Sequence, residues 1–319
     1  MPPLKTLARN ESGTPPLRGG HSLCRGCGIP IVVRTILDSI DTPVVVVSAT
    51  GCLEVATTRY PATAWNVPWL HVAFENAAAA ASGVEAAYRA LRKRGALPGG
   101  EEVNFVVLAG DGGTYDIGLQ ALSGAWERGH RILYVCYDNQ AYMNTGVQRS
   151  SATPFGASTT TTPPGPESFG KLQERKDMTA IAVAHRLPYV AQAADAFWQD
   201  LSDKVVRAVS AGGPAFVNVL TACPLGWGYE ARLTARINHL AVDACLWPLY
   251  EVVEGAYRLT YRPEKVLPVE AWLGEQKRFR HLLEPEHRGI LETIQERVDE
   301  EWERLLERCS HASAPPAAR

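Results

Sequence analysis

No stretch of this sequence stays apolar for long. The longest apolar runs, Ala77–Ser82 and Val44–Ala49, fall far short of the about 20 residues that cross a bilayer. The first twenty residues are rich in Pro, Gly, Arg and polar side chains and lack the apolar core of a signal peptide. A cytoplasmic protein with an N-terminal arm over 1–20 is therefore expected. Neither sign of charge is in excess. With 32 Lys and Arg against 34 Asp and Glu, a net charge of −2, and no basic run, a nucleic-acid binder is excluded. Internal repeats are missing, and so is any cysteine-dense segment. The seven cysteines are scattered, and in a reducing compartment they do not form a disulfide framework. Each is either a small buried hydrophobe or a ligand.

What is present is an ordinary globular composition, 46% hydrophobic and 21% charged, enough for a sizeable core. The length allows one large α/β domain with extensions or two modest domains. Helical periodicity over Ile31–Ile40 leads into the β-branched run Val44–Ser48, and a polar, aromatic loop follows over Arg59–Trp69. Asn76–Lys93 is Ala-rich and helical. Val103–Leu108 has the pattern of a buried strand, Ile117–Arg128 of a helix and Arg131–Tyr137 of a strand, with a loop over Asp138–Gly146. Residues 151–177, rich in Ser, Thr, Pro and Gly, read as a linker or as a functional lid. Helices over Asp177–His185 and Asp195–Ala211 and a strand over Ala215–Leu220 complete the alternation. Beyond Gly228 the pattern weakens, up to a charged helix over His287–Cys309. The fold class is α/β, a mostly parallel sheet with helices on both faces. Residues 21–235 form its main domain and 236–319 a C-terminal extension with the terminal helix. Ligands of such sheets gather at the carboxyl ends of the strands, here the loops after Val47, Leu108, Tyr137 and Leu220.

Three of these loops carry chemistry. Gly110-Asp111-Gly112-Gly113-Thr114 is a strand running through a Gly-rich turn into a helix, a geometry that suits phosphate. Asp111 would repel phosphate oxygens unless a divalent cation lay between them, and Mg²⁺ is the natural choice. Asn139 follows one helix and one strand later. A βαβ unit of that length returns the chain beside its starting point, so Asp111 and Asn139 end on neighbouring loops and can share one hard cation. Gly-Asp-Gly followed at this interval by Asn is the thiamine diphosphate signature. The third constellation is Cys24-Arg25-Gly26-Cys27, with Cys52 after one strand and Cys223, followed by Pro224, after another. Spacing alone leaves four-thiolate zinc and an iron–sulfur cluster equally open. Cys136, Cys245 and Cys309 read as packing residues.

The ordered set Cys24–Gly28, Ala49–Glu54, Pro68–Asn76, Gly110–Gln120, Tyr137–Ser151 and Ala222–Gly228 resembles the beta subunits of the 2-oxoacid:ferredoxin oxidoreductase family, the pyruvate branch above all. The resemblance covers roughly residues 18–250 and assigns nothing beyond about 255. It implies the diphosphate-binding domain of the thiamine diphosphate fold. It places Mg²⁺ on Asp111, Asn139 and the carbonyl of Ala141, with Gly112, Gly113 and Thr145 at the cofactor. Asn144 would reach the thiazolium and the substrate. A 4Fe-4S cluster falls to Cys24, Cys27, Cys52 and Cys223. The implied reaction is reversible CoA-dependent oxidative decarboxylation of pyruvate to acetyl-CoA, with electrons passed through the cluster to ferredoxin. The family's aminopyrimidine-binding glutamate has no counterpart here, and neither do its further clusters. Partner subunits of the alpha, gamma and delta types are thus implied, and the chain alone is expected to be inactive.

Oxalate is an alternative substrate of the same chemistry. A non-redox thiamine decarboxylase subunit would have no use for four placed cysteines, and a zinc-stabilised interaction subunit none for the Asp111–Asn139 pair. Glu54 reads equally as a residue supporting the cluster and as a solvated or capping carboxylate. His21 and Arg25 have ordinary surface readings beside cluster-related ones. Tyr60, Trp65 and Trp69 read as interface or core packing, and Trp227 as a shield over the cluster.

Overall fold

A computed structural model describes residues 14–97 and 102–312. Most of the arm expected over 1–20 lies outside this range. Its described end is anchored, with Leu17 fully buried and bridged to Trp65. No described helix is long and apolar enough to cross a membrane.

Four apolar runs form the centre of one eight-stranded sheet: β1 (Val44–Ala49), β3 (Asn104–Gly110), β4 (Leu133–Asp138) and β6 (Ala215–Leu220). Their side chains are buried on both faces, as continuous Val and Ile-type runs in parallel sheets require. The sheet is completed by β2 (Trp69–Val72), β5 (Tyr189–Ala194), β7 (Tyr250–Val253) and β8 (Ala256–Leu259), in the order β8-β7-β5-β6-β4-β3-β1-β2. All neighbours are parallel except β7, which is antiparallel to both β5 and β8.

Helices cover both faces. On one, α1 (Ile29–Asp38) and α6 (Trp198–Ser210) bury Val32, Val33, Ile36, Leu201 and Val205 against the sheet. Pro30 sits in the first turn of α1, where its missing N–H has no bond to lose. On the other face lie α3 (Ala77–Lys93), α4 (Leu119–Glu127) and α5 (Met178–Ala184). The buried side of α3 is Ala77, Ala78, Ala81 and Ser82, small enough for the helix to lie close to the strands, together with Glu85, which His130 Nδ1 meets at 2.8 Å. A third apolar cluster, built on Trp227, Trp247 and Trp272, joins the sheet end to α7 (Thr234–Asp243) and α8 (Arg288–Ala312).

Three elements depart from the expected pattern. Trp69–Val72, at the end of an expected loop, is an edge strand on β1 and is less buried than the central strands. Tyr189–Ala194 is a fully buried strand, but its alanines carry little β propensity and hide it from pattern reading. Residues 151–177 are not a linker. Ala152 and Ala157 are fully buried, and Lys171 donates from the interior to the carbonyls of Thr153 and Glu174. Beyond residue 236 the chain returns to the same sheet through the β7–β8 hairpin, whose turn places Glu254 and Gly255 in left-handed conformation.

The hairpin is clamped by one carboxylate. Glu251, 1% exposed, accepts from Tyr189 Oη at 2.7 Å, Arg207 Nη1 at 2.8 Å and Arg258 Nε at 2.9 Å. Burial disfavours its charge, but the bonds from Tyr189 and Arg258 and the charges of Arg207 and Arg258 outweigh it and hold the carboxyl below the usual glutamate range. A depressed folded-state pKa contributes stability at neutral pH that is lost as pH falls through it. Glu251→Gln is therefore expected to lower stability by about 2–4 kcal/mol at pH 7. Urea denaturation of the two chains should show this gap narrowing below about pH 4.3; a gap independent of pH would remove the charge from the explanation.

Candidate functional site

The register brings the loops together. Gly110 pairs with Tyr137 and Asp138 with Leu220, so β3, β4 and β6 end level and release Asp111, Asn139 and Cys223 at one edge of the sheet. Cys52 enters the same edge after β1 as the first residue of the short helix α2 (Cys52–Thr57).

After Asp111 the chain turns through a π-helical segment, Gly112–Asp116, before α4 begins. A Cβ on Gly112 would lie 2.3 Å from a ring carbon of Tyr142, so only glycine lets the loop after β4 close over this turn. Tyr142 is held there by its bond to Asp116 Oδ2 at 2.9 Å.

Asp111 is 1% exposed. Ser150 Oγ donates to its Oδ2 at 2.5 Å, which leaves Oδ1 facing inward. There the amide end of Asn139 lies 3.0 Å from Asp111 Oδ1 and 2.8 Å from the Ala141 carbonyl oxygen. With the amide oxygen inward, three oxygens meet with no proton between them; with the nitrogen inward, it donates to both. Neighbouring oxygens on an octahedral Mg²⁺, with bonds of about 2.0–2.1 Å, lie about 2.9 Å apart. The spacing of the three therefore fits one Mg²⁺. Burial, then the charge of Asp138, pushes the Asp111 carboxyl well above the usual carboxylate range. A cation is what this carboxylate needs to stay ionised.

The loop after β4 is held from several sides. Gln140 is left-handed at φ 67, an uncommon conformation for a side chain of its size. Its N–H donates to Asp138 Oδ1 at 3.0 Å, and its carbonyl accepts from Thr153 Oγ1 at 2.6 Å. The Asn139 carbonyl accepts from Trp227 Nε1 at 2.8 Å. Beneath it, Tyr115 Oη and Arg175 Nη2 donate to Asp138 Oδ2 at 2.7 and 2.9 Å, and Asn218 Nδ2 donates to Tyr115 Oη at 2.7 Å. This network ties the π-helical turn to the ends of β4 and β6. Arg175 offsets part of the burial that raises Asp138.

The cysteines gather beside these oxygens. Cys27 N–H donates to the Cys24 carbonyl at 3.1 Å to form the turn, and Gly28 N–H reaches the Ala222 carbonyl at 3.4 Å. Gly26 is left-handed (φ 73), and a Cβ there would lie 2.4 Å from the Ala231 carbonyl. Cys223 caps the turn Pro224–Trp227, its sulfur accepting from Gly226 N–H at 3.4 Å. The four thiols act on one another. Burial, followed by Cys223, Cys52 and Cys24, pushes Cys27 up to about 12 despite a backbone bond from Ile29. Burial, Cys223, Cys24 and then Asp111 push Cys52 up to about 12. Cys223 is raised by burial and by Cys24. Cys27, Cys52 and Cys223 are half-buried and Cys24 is exposed; thiols with raised pKa values are poor nucleophiles and ionise when a metal binds them. Cys136 is fully buried within β4, as expected of packing.

Asp111, Asn139, Ala141 and Cys52 line one open-mouthed cleft of about 140 Å³, with Asn144 and Thr145 among its exposed walls. Ser150, Asp138, Gln140 and Arg278 are not singled out by sequence. The first three lie within the motif stretch Tyr137–Ser151, and Arg278 lies outside every motif. Glu54 is engaged locally, accepting from Thr58 Oγ1 at 3.1 Å and lying 3.7 Å from His71 Nε2. Trp65, Trp69 and His71 form a stack with centroids 5.8 and 6.1 Å apart.

Residues 49–219 match the thiamine pyrophosphate enzyme, C-terminal TPP binding domain. The pyruvate synthase subunit PorB of Methanothermobacter thermautotrophicus is 53% identical over 87% of this chain and 94% of its own length. That of Methanocaldococcus jannaschii is 50% identical over 90% and 95%. The ketoisovalerate oxidoreductase subunit VorB of Pyrococcus abyssi is 41% identical over 90% and 91%. Among solved structures, a 2-oxoglutarate:ferredoxin oxidoreductase from Magnetococcus marinus shares the fold at TM-score 0.53 and 24% identity, over 65% of this chain and 67% of that one. The chain belongs to the PorB family of pyruvate synthase subunits, within the thiamine pyrophosphate enzymes.

Proposed function

We propose that this chain is the beta subunit of a cytoplasmic pyruvate:ferredoxin oxidoreductase, carrying the diphosphate–Mg²⁺ site and the 4Fe-4S cluster nearest the reaction. The observation that carries the proposal is the meeting of Asp111, Asn139 and Ala141 oxygens in the same cleft as Cys52. A non-redox thiamine enzyme would not need the four thiols, and a structural zinc protein would not need the oxygens.

Asp111 Oδ1, Asn139 Oδ1 and the Ala141 carbonyl would hold Mg²⁺. The Gly112-Gly113 backbone would take the diphosphate. Cys24, Cys27, Cys52 and Cys223 would hold the cluster. Among the described residues, no three His, Cys, Asp or Glu side chains converge on a single-ion site. A tetrahedral zinc with bonds of about 2.3 Å needs sulfurs about 3.8 Å apart. When bound, thiamine diphosphate supplies the electron sink for decarboxylation and the cluster a one-electron acceptor.

The protein's own contribution is placement. Ser150 turns the Asp111 carboxylate so that one oxygen faces the cation. Asn144 and Thr145, at the open wall, would meet the thiazolium and the 2-oxoacid. Phe74 and Met143 line the cleft and keep water from the reacting centre. Partner subunits would complete the site with the glutamate that faces the aminopyrimidine, and CoA and ferredoxin would dock on the assembled complex. Pyruvate is favoured over a branched 2-oxoacid by the PorB relatives.

In the complex purified anaerobically with its partners, Cys24→Ser with Cys27→Ser is expected to lower the iron content by about four per copy of this chain. Iron content equal to that of the parent, or loss of one zinc instead, would refute the cluster. Asp111→Ala should abolish retention of thiamine diphosphate while iron stays bound; unchanged retention would refute the cation site. Ser150→Ala keeps the ligands but frees the carboxylate, and Mg²⁺-dependent cofactor affinity should fall about 10–100-fold by calorimetry. Turnover with CoA and ferredoxin should be faster on pyruvate than on 2-ketoisovalerate, and the reverse order would reassign the substrate.

A further inference from the structure

Arg278 is a buried cation that nothing above employs. It lies in the turn Lys277–Leu283, beyond the residues that carry the family's motifs, and is 6% exposed. No carboxylate among the described residues forms an ion pair with it. Instead, Nη2 donates to Gln140 Oε1 at 2.6 Å and Nε to Gln276 Oε1 at 2.9 Å. Its Cζ stands 4.1 Å from the ring centroid of Trp227, 4.9 Å from that of Phe279 and 5.3 Å from that of Trp272.

Amide oxygens and ring faces compensate a buried guanidinium only in part, and an uncompensated buried charge is strongly unfavourable. Trp227, the nearest ring, belongs to the turn that Cys223 caps, which puts the cysteine site beside the guanidinium. Cys223 is the foremost group favouring the guanidinium's charge, and Arg278 in turn favours ionisation of Cys223. Trp227, pressed under the guanidinium, follows Cys223 by four residues and donates to the Asn139 carbonyl. Gln140, bonded to the guanidinium, stands between Asn139 and Ala141. The guanidinium thus stacks on the turn that Cys223 caps and bonds the loop that carries the oxygens.

Given the cation and cluster sites proposed above, we propose that Arg278 is a positioning residue for both, its charge balancing the thiolate-bound cluster beside Cys223 while its bond to Gln140 holds the Asn139–Ala141 loop in register. A cluster held by four thiolates is net negative, and a nearby positive charge stabilises its reduced form and raises its potential. The left-handed Gln140 is held at its backbone by Asp138 and Thr153, and Arg278 adds a bond to its side chain from outside the loop. The second effect is independent of the first, so the two can be separated.

The test uses the anaerobic complex with its partner subunits and three variants: Arg278→Met, Arg278→Lys and Gln140→Leu. Iron content, the cluster potential by EPR-monitored titration and Mg²⁺-dependent thiamine diphosphate affinity by calorimetry are measured on each. Arg278→Met should retain iron, lower the potential so that the reduced-to-oxidised ratio changes at least tenfold (about 59 mV for one electron), and weaken cofactor affinity about tenfold. Arg278→Lys should keep most of the potential but lose affinity, because the ammonium restores charge without the planar fork. Gln140→Leu should lose affinity at unchanged potential. Iron-replete Arg278→Met with parental potential and affinity overturns the proposal. If Arg278→Met yields no soluble complex, the other two decide: parental affinity in both, or a potential shift in Gln140→Leu matching or exceeding that in Arg278→Lys, overturns it. A parent complex without iron or Mg²⁺-dependent cofactor binding would instead refute the sites themselves.

Discussion

The amide end of Asn139 lies 2.8 Å from the Ala141 carbonyl oxygen and 3.0 Å from Asp111 Oδ1 at the ends of β3 and β4, and such a meeting of acceptors needs either an amide proton or a cation between them. The carboxylate of Asp111, the amide of Asn139 and the carbonyl of Ala141 would relax apart on a flexible loop. They stay together because each is anchored from behind. Ser150 grips the outer carboxylate oxygen, Thr153 and the Asp138 carboxylate hold the backbone of Gln140, and Trp227 binds the Asn139 carbonyl. A buried site assembled this way is ready for a hard cation before the cation arrives, which keeps the ordering cost out of binding.

The same anchoring explains the polar interior under the site. Asp138 is buried beside Asp111, an arrangement that would be unfavourable without Arg175, Tyr115 and Asn218 around it. Its two oxygens serve opposite ends of the problem: one orders the loop above, the other joins β4 to the π-helical turn and to β6. Sheet register then does what no local motif can. Because β3, β4 and β6 end level, a shift of one residue in any pairing would carry Asp111, Asn139 or Cys223 to the wrong height and face.

Much of this was legible in the residues. Val44–Ala49, Asn104–Gly110, Leu133–Asp138 and Ala215–Leu220 are β-branched or apolar runs bounded by turn signals, and they announce buried parallel strands. Gly110–Gly113 and Asn139 carry their chemistry in their side chains and spacing, as does the pair Cys24 and Cys27. Tyr189–Ala194 was hidden because alanine suits helix, strand or loop, and burial between β6 and β7 made the choice. Residues 151–177 look like a linker by composition, yet Ser150 beside them and Thr153 and Lys171 within them fold inward where polar partners await them.

The sequence by itself determined which chemical groups exist and in what order: the acid, amide and thiol residues, the glycines that let backbones approach, and the alternation that builds a parallel sheet. Those features are local, and their physics depends on neighbours within a few residues. Tertiary structure alone decided which distant groups meet. Arg278 lies 138 residues from Gln140 and belongs to no motif, yet it bonds that residue and stacks on Trp227 in the turn that Cys223 caps. A buried charge announces itself only through what surrounds it, and those surroundings come from four separate parts of the chain brought together by one packed core.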